Sequence, residues 1–179
     1  MAGIRVVKRT TLYQGTVIRV IREVLETDGR RMVRETVQHP GAVVIVPLLG
    51  HSRIVFVRQY RRAVDRELLE LPAGTLNPRE RREACARREL QEETGWQARR
   101  LRRIGQFYAA PGFISEQLTV FVAQALRRAT ARPDADEVIR PVILSFREAL
   151  KQIRSGAICD AKTIIGVLFA ARLLRQRDV

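Results

Sequence analysis

The most informative segment of this chain reads Gly74-Thr-Leu-Asn-Pro-Arg-Glu80, followed after seven residues by Arg88-Glu-Leu-Gln-Glu-Glu-Thr-Gly-Trp96. Its glycines, glutamates and arginine recur at fixed spacing: Gly, five residues, Glu, seven residues, then Arg-Glu-apolar-any-Glu-Glu-any-Gly-apolar. An isolated run of charges usually forms a solvated helix face, which is the alternative interpretation. The simultaneous presence of all the fixed positions argues against that alternative.

The same segment predicts a helix with defined ends. Asn77 is a favourable N-cap, Pro78 suits the first helical position, and Glu80 follows Asn77 by three residues, as in a capping box. Gly95 is a typical C-terminal stop. We therefore predict a helix from about Pro78 to Thr94.

Three glutamates near the end of this predicted helix indicate a cation site. Glu89 and Glu93 are four residues apart and share a face, and Glu92 lies beside them. Like charges at this spacing repel, and the C-terminal end of a helix is unfavourable for anions. A bound cation offsets both costs, and carboxylate ligands favour Mg²⁺ or Mn²⁺.

Composition sets the class of protein. The chain has 179 residues, of which 46% are hydrophobic and 29% charged, so one domain with a sizeable core is expected. No apolar run approaches about 18 residues and no apolar signal segment begins the chain, so we expect neither a membrane span nor secretion. With only two cysteines and no metal-binding cysteine spacing, we expect a reduced, cytoplasmic protein.

The net charge of +14 favours anionic ligands but has a second explanation. Only Lys8, Lys151 and Lys162 are lysines among 33 basic residues, so the rest are arginines. A strongly basic chain attracts polyanions and phosphate-bearing substrates, whereas a coding bias towards arginine would merely spread charge over solvated faces. The arginines are scattered and only 6% of the chain is aromatic, so we do not expect nucleic-acid binding as the main function.

The remaining patterns predict an α/β fold with a mixed sheet. Residues 5–37 are typical of antiparallel β-structure with a hairpin turn at Asp28-Gly29, and 41–48 of a buried central strand. Further strands are predicted at 54–60, 101–108, 117–125 and 138–145, and helices at 147–153 and 161–174. Helices on both sides of the sheet imply an α/β/α sandwich, preceded by an N-terminal antiparallel β-region over residues 1–40.

The segment from Gly74 to Trp96 resembles the box of the Nudix hydrolases, which hydrolyse nucleoside diphosphates linked to another moiety. Its surroundings look like the ADP-ribose pyrophosphatase branch, and Pro111 follows Trp96 by 15 residues, a spacing associated with that branch. The matching segments are Val57–Arg61, Glu67–Gly74, Ala110–Glu116 and Asp160–Thr163. The resemblance covers about residues 5–175. It implies a Nudix domain over 41–179 that hydrolyses ADP-ribose to AMP and ribose 5-phosphate with two or three Mg²⁺ or Mn²⁺ ions.

The resemblance also assigns roles by position. It implies that the main-chain carbonyl of Ala73 and the carboxylates of Glu89, Glu92 and Glu93 bind metal, and that Arg88 orients the glutamates. The residues it implies as structural in the box are Gly74, Glu80, Arg88 and Gly95, and those it implies for substrate binding are Arg34, Arg61, Pro111, Gly112 and Glu116. For Arg61 and Arg34, an ordinary surface arginine is the alternative.

The general base is left open by the sequence. The resemblance places a glutamate in the loop before the last strand, where Glu137 is the positional match, but Arg140 stands where a second acidic residue often follows. Glu92 or Glu93 is the alternative base. His39 and His51 lie in turn-like segments and are expected to be structural or solvated.

Several alternatives of function and assembly remain. A Nudix enzyme for another nucleotide sugar, a dinucleotide polyphosphate or a capped RNA has the same box. A non-catalytic nucleotide or RNA sensor has no need of all four box glutamates, Glu80, Glu89, Glu92 and Glu93. The resemblance further implies a homodimer with exchanged N-terminal regions, in which residues near 10–35 approach the partner's substrate site.

Overall fold

A computed structural model of the chain describes residues 3–50, 52–131 and 138–175, and these divide into two compact units. The smaller unit comprises Met1–Gly41 with Tyr108–Gln117, and the larger comprises Ala42–Phe107 with Leu118–Val179. Two residues singled out from the sequence, His51 and Glu137, lie outside the described residues. Among the residues described, no helix is long and apolar enough to cross a membrane.

The smaller unit is built on a three-stranded antiparallel sheet. Its strands β1 (Arg5–Gln14), β2 (Arg19–Thr27) and β3 (Arg30–Gln38) pair in chain order. Asp28 and Gly29 have φ values of 49° and 71°, the positive values that a two-residue type I′ turn needs. The predicted hairpin is therefore confirmed.

A second segment of the smaller unit attaches to the end of β3. The Val37 N–H donates to the Phe113 carbonyl at 2.7 Å, and the Ser115 N–H donates to the Val37 carbonyl at 2.9 Å. These two bonds hold the turn that contains Pro111 and Gly112 against the N-terminal sheet.

The larger unit contains a seven-stranded mixed sheet with the path β10-β5-β4-β9-β8, to which β6 and β7 add through β5 and β4. Its central strand β4 is parallel to β9 and antiparallel to β5. The strands are β4 (Ala42–Leu49), β5 (Arg53–Arg61), β6 (Arg66–Glu70), β7 (Ala73–Thr75), β8 (Trp96–Tyr108), β9 (Gln117–Arg128) and β10 (Ile139–Ser145).

Helices cover both faces of this sheet because the side chains of β4 alternate between them. Val43 and Ile45 pack with α1 (Arg82–Thr94), which contributes Cys85, Ala86 and Leu90. Val44 and Val46 pack with Ala149 of α2 (Phe146–Arg154) and with Val167 and Ala170 of α3 (Ala161–Arg175). Full burial of a Val or Leu side chain contributes about 1.5–3 kcal/mol, so both layers are firmly held. The predicted α/β/α sandwich with a mixed sheet is confirmed.

The predicted start of the box helix is wrong. Helix α1 begins at Arg82 rather than Pro78, because Asn77–Glu80 forms a turn closed by the Glu80 N–H and the Asn77 carbonyl at 3.0 Å. Arg79 in that turn has a φ of 65°, as the third residue of a type II turn requires. The Glu80 carboxylate still accepts from the Asn77 N–H at 3.0 Å, so one half of the expected capping box is present ahead of the helix. The predicted end is confirmed, since Gly95 has a φ of 68°.

Candidate active site

Arg88, on helix α1, gathers three of the four box glutamates. Its Nε and Nη2 donate to the two oxygens of Glu80, each at 3.0 Å, which is a bidentate pair. Its Nη1 donates to Glu89 at 2.7 Å and to Glu92 at 2.9 Å. Bidentate and charge-assisted bonds are strong and directional, so Arg88 fixes the orientation of these carboxylates.

This pairing stabilises the charged forms of Glu80 and Arg88. Hydrogen bonds from Arg88 lower the pKa of Glu80 to about 2, and the Asn77 N–H adds to the effect against the opposing cost of burial. The pKa of Arg88 is raised, first through its hydrogen bonds to Glu80 and then through the charge of Glu89 and the hydrogen bonds to Glu92 and Glu89, which outweigh the opposing effect of burial. Arg88 and Glu80 are therefore both charged at neutral pH.

Glu89 and Glu93 are buried where β7 approaches α1. Their relative exposures are 9% and 4%. Glu93 accepts a hydrogen bond from the Ala73 N–H at 3.2 Å. A Cβ at Gly74 would lie 1.9 Å from Oε1 of Glu89, so only glycine leaves room for that carboxylate. Gly74 thus brings the strand backbone close to the face of α1 that carries both glutamates.

The donor set fits a hard divalent cation in its chemistry. Glu89, Glu92 and Glu93, together with the main-chain carbonyl of Ala73, are oxygen ligands of the kind that Mg²⁺ and Mn²⁺ take. In the described part of the chain, no three His, Cys, Asp or Glu side chains already form a metal-ligand group. In the geometry seen here, Arg88 neutralises part of the negative charge at Glu89 and Glu92.

Arg61 belongs to a second charged group in the same unit, centred on Glu70. The Arg61 Nε and Nη2 donate to the two oxygens of Glu70, both at 2.8 Å. Lys162 also donates to Glu70, and its Nζ lies 3.0 Å from Asp160. Burial alone would raise the pKa of Glu70, but the bonds and charges from Arg61 and Lys162 outweigh it and lower that pKa. The pKa of Arg61 is raised, mainly by its bonds to Glu70, and Glu93 and Asp160 add to the rise.

Glu70 and Lys162 were not identified from the sequence as functional residues. A usable signal was present, because Glu70 is the one charged residue within the apolar run Leu68–Leu71. A carboxylate inside such a run requires a buried cationic partner.

The other predicted substrate residues lie in the smaller unit. Arg34 is exposed on β3 and donates to the carbonyl of Val33 at 3.0 Å. Pro111 and Gly112 are exposed in the turn after β8. Glu116 is half-buried, with one oxygen 3.9 Å from Nδ1 of His39.

His39 is used structurally within this unit, as expected from the sequence. Its Nδ1 accepts from the Gly41 N–H at 3.0 Å, and its own N–H donates to the Ser115 hydroxyl at 3.0 Å. Because Nδ1 is an acceptor here, the approach of Glu116 is a proximity of two groups rather than an ion pair.

The candidate general base Glu137 lies outside the described residues, so its role as base stays a prediction from the sequence. Arg140, noted in the sequence as a departure from the expected acidic pattern, pairs with Glu67 at 2.8 Å.

Comparisons with known proteins show the family of this chain. The ADP-ribose pyrophosphatase of Bacillus subtilis (strain 168) is 34% identical over 168 residues, 92% of this chain and 91% of the relative. The GDP-mannose pyrophosphatase of Cronobacter sakazakii (strain ATCC BAA-894) is 32% identical over 164 residues, 87% of this chain and 80% of the relative. The crystal structure of an ADP compounds hydrolase shares the fold, with a TM-score of 0.86 at 22% identity over 97% of this chain and 95% of that one. A family model for the NUDIX domain matches residues 38–164, and the chain therefore belongs to the Nudix family.

Proposed function

We propose that this protein hydrolyses the diphosphate of ADP-ribose to AMP and ribose 5-phosphate in the presence of Mg²⁺. The observation that carries the proposal is the cluster in which Arg88 orients Glu80, Glu89 and Glu92 beside the buried Glu93. A binding protein has no need of this concentration of carboxylates, whose mutual repulsion costs stability. The relative from Bacillus subtilis, matched over nearly its whole length, carries the name of that activity.

Each part of the cluster has a proposed role. Glu89, Glu92, Glu93 and the Ala73 carbonyl hold two or three divalent ions, while Arg88, Glu80, Gly74 and Gly95 maintain the geometry of the box. A divalent cation bound here supplies stabilisation of the negative charge that develops on the diphosphate.

Water attack on one phosphorus breaks the bridging P–O bond, and the proton of the water passes to a carboxylate. We propose Glu137 as this base, with Glu92 or Glu93 as the alternative. Glu137→Gln should lower kcat with little change in KM if Glu137 acts only in the transition state. An unchanged kcat assigns the role to the box helix instead.

Five residues are proposed to bind the substrate. Arg61 is proposed to bind the diphosphate through charge-assisted hydrogen bonds. Arg34, Pro111, Gly112 and Glu116 are proposed to contact the substrate as well, from the N-terminal β-region and the turn that packs on it.

We also propose a cytoplasmic homodimer with exchanged N-terminal regions. The support is the exposure of large apolar side chains on the smaller unit, including Leu12, Tyr13, Val17 and Val33. Large exposed apolar side chains are a liability in a soluble monomer, and strands with free edges tend to pair. Cys85 and Cys159 are free thiols, which accords with a reducing compartment.

A second substrate class is favoured by one specific finding, the similarity to a GDP-mannose pyrophosphatase. The deciding experiment incubates the protein and Mg²⁺ with ADP-ribose, GDP-mannose, a diadenosine polyphosphate and a capped RNA, and identifies products by anion-exchange chromatography and mass. Release of AMP and ribose 5-phosphate with the highest kcat/KM supports the proposal. Faster turnover of GDP-mannose would assign the enzyme to that class, and binding without turnover of any substrate would identify a sensor.

A further inference from the structure

The Glu70 side chain is almost completely buried, and its carboxylate is hydrogen-bonded to the side chains of Arg61 and Lys162. It ends strand β6 with 1% relative exposure, and both of its oxygens accept from Arg61 at 2.8 Å. Lys162, in the first turn of α3, reaches the same carboxylate. A buried ion pair contributes little net stability compared with apolar residues of the same size. The orientation that Glu70 gives to the Arg61 guanidinium therefore explains the arrangement better than a gain in folding stability does.

Arg61 is left with one end of its guanidinium available. Its Nε and Nη2 are occupied by Glu70, while Nη1 donates to no residue in the described part of the chain. Because the guanidinium is planar, fixing two nitrogens fixes the direction of the third. The side chain is half-buried, and the charge of Glu93 contributes to its raised pKa, so Arg61 lies within electrostatic reach of the box glutamates.

Helix α3 anchors this pair from the other side. Asp160 accepts from the Thr163 N–H at 3.0 Å, as an N-cap does, and also holds Lys162 at 3.0 Å. The Thr163 hydroxyl accepts from the Leu71 N–H at 2.8 Å, which ties the residue after Glu70 to the same helical turn. The start of α3 thus determines where the Glu70 carboxylate lies.

We propose that Glu70 and Lys162 are positioning residues that hold the Arg61 guanidinium in one orientation for the diphosphate of the substrate. The inference rests on the proposed function and deepens it: the recognised group is a nucleoside diphosphate, and α3 takes part in binding it through Glu70. Neither residue touches the substrate.

A double-mutant cycle tests this, with ADP and Mg²⁺ as the probe and calorimetric titration as the measurement. Glu70→Gln and Arg61→Gln should each raise the Kd for ADP at least tenfold. If Glu70 acts through Arg61, the double variant should bind less than threefold more weakly than Arg61→Gln alone. A further loss of threefold or more, or a folded Glu70→Gln variant that binds ADP like the parent, overturns the proposal.

Two further variants separate positioning from general support of the fold. Lys162→Met should weaken ADP binding in the parent but not in the Arg61→Gln background. If the Glu70→Gln variant does not fold, this comparison tests the positioning of Arg61 in its place. Ser145→Ala removes the side-chain N-cap of α2, which accepts from the Glu148 N–H, and it changes no charge and no bond of Glu70, Lys162 or Arg61. It should lower Tm while leaving the Kd for ADP within twofold of the parent, and a loss of affinity equal to that of Lys162→Met would point to a structural role only.

The cycle is independent of the proposed reaction because it measures binding. If the parent binds ADP but does not hydrolyse ADP-ribose, the proposed function fails and the cycle still decides the role of Glu70. If the parent does not bind ADP at all, Arg61 is not positioned for a diphosphate and this inference fails. For whichever substrate is turned over, Glu70→Gln should raise KM by a larger factor than it lowers kcat, because the contact is present in the ground state.

Discussion

Glu80 and Arg88 form a bidentate pair, and the stability that this pair contributes depends on pH. The pKa of Glu80 is about 2 in the folded protein, against an ordinary value of 4.5. A lowered folded pKa stabilises the protein above pH 4.5, and this stabilisation is lost as the pH falls from 4.5 towards 2. At 1.36 kcal/mol per pKa unit, the shift corresponds to at most about 3.4 kcal/mol at neutral pH, and screening by solvent makes the contribution smaller.

The first prediction follows from this linkage. Glu80→Gln should lower the free energy of unfolding by about 2–3 kcal/mol at pH 7, and the difference from the parent should shrink between pH 4.5 and pH 3. Urea unfolding at several pH values measures it. Glu83→Gln is the matched control, because Glu83 is exposed on the same helix and should change stability by no more than about 0.5 kcal/mol. A deficit that is constant down to pH 3 would contradict the linkage.

The second prediction concerns Glu93, which is buried and bonded to the Ala73 N–H. Glu93→Gln is nearly isosteric and should keep the fold, but it should reduce turnover by about two orders of magnitude or more, as does loss of a group that stabilises the transition state. The measurement is kcat at saturating Mg²⁺, with circular dichroism as the check on folding. Activity within threefold of the parent would exclude Glu93 as a metal ligand.

At the residue scale, much of the site was predictable from the sequence. The i, i+4 spacing places Glu89 and Glu93 on one face of α1, and both are buried there. Residues that meet through tertiary structure were harder to find. Glu70 and Lys162 are 92 positions apart, and no local pattern records that they share a bond.

At the element scale, strands and helices with strong hydrophobic patterns were predicted well. The buried run of β4 and the amphipathic α3 both occur where expected. The short strands β6 and β7 were missed because backbone pairing with β5 and β4, rather than any side-chain pattern, makes them strands. The start of α1 was misplaced because the same Asn-Pro signals that favour a helix cap also favour a type II turn.

The packing of α1 gives the third prediction. Burial raises the pKa of the Cys85 thiol to about 12, and the nearby Glu89 and Glu80 charges act in the same direction. Cys159 is exposed. An aromatic disulfide reagent at pH 8 should therefore modify one thiol rapidly and the second only when the protein unfolds, because only a thiolate reacts. Cys159→Ser should remove the fast phase, and a fast phase that persists would mean that α1 opens in the native protein.

At the scale of the whole molecule, the sequence predicted the α/β/α sandwich but not which residues form each of the two compact units. Tyr108–Gln117 joins the N-terminal strands in the smaller unit, although these residues are separated from them by the central strand, the box and β8. The cause is the pair of backbone bonds between Val37 and the turn before Glu116, which depend on tertiary contact. Three of the proposed substrate residues, Pro111, Gly112 and Glu116, therefore belong to the same unit as Arg34 and the predicted N-terminal β-region, residues 1–40.

The last prediction tests assembly. The smaller unit carries exposed apolar side chains on β1 and β3, such as Leu12, at 44% exposure, and Val33, at 54%. Covering them in a symmetric dimer removes apolar area from water at about 25 cal/mol per Å². Light scattering at micromolar concentration should therefore give twice the monomer mass of 20.4 kDa.

Replacing Leu12 and Val33 by Asp should shift the particle towards monomer. It should also raise KM if residues near 10–35 complete the partner's substrate site. Leu168→Asp, at an exposed apolar position on α3, serves as the control. Deleting residues 1–35 should abolish both dimer and activity. A fully active 20.4 kDa particle, or a folded truncated monomer with normal KM, would place the whole substrate site within one chain.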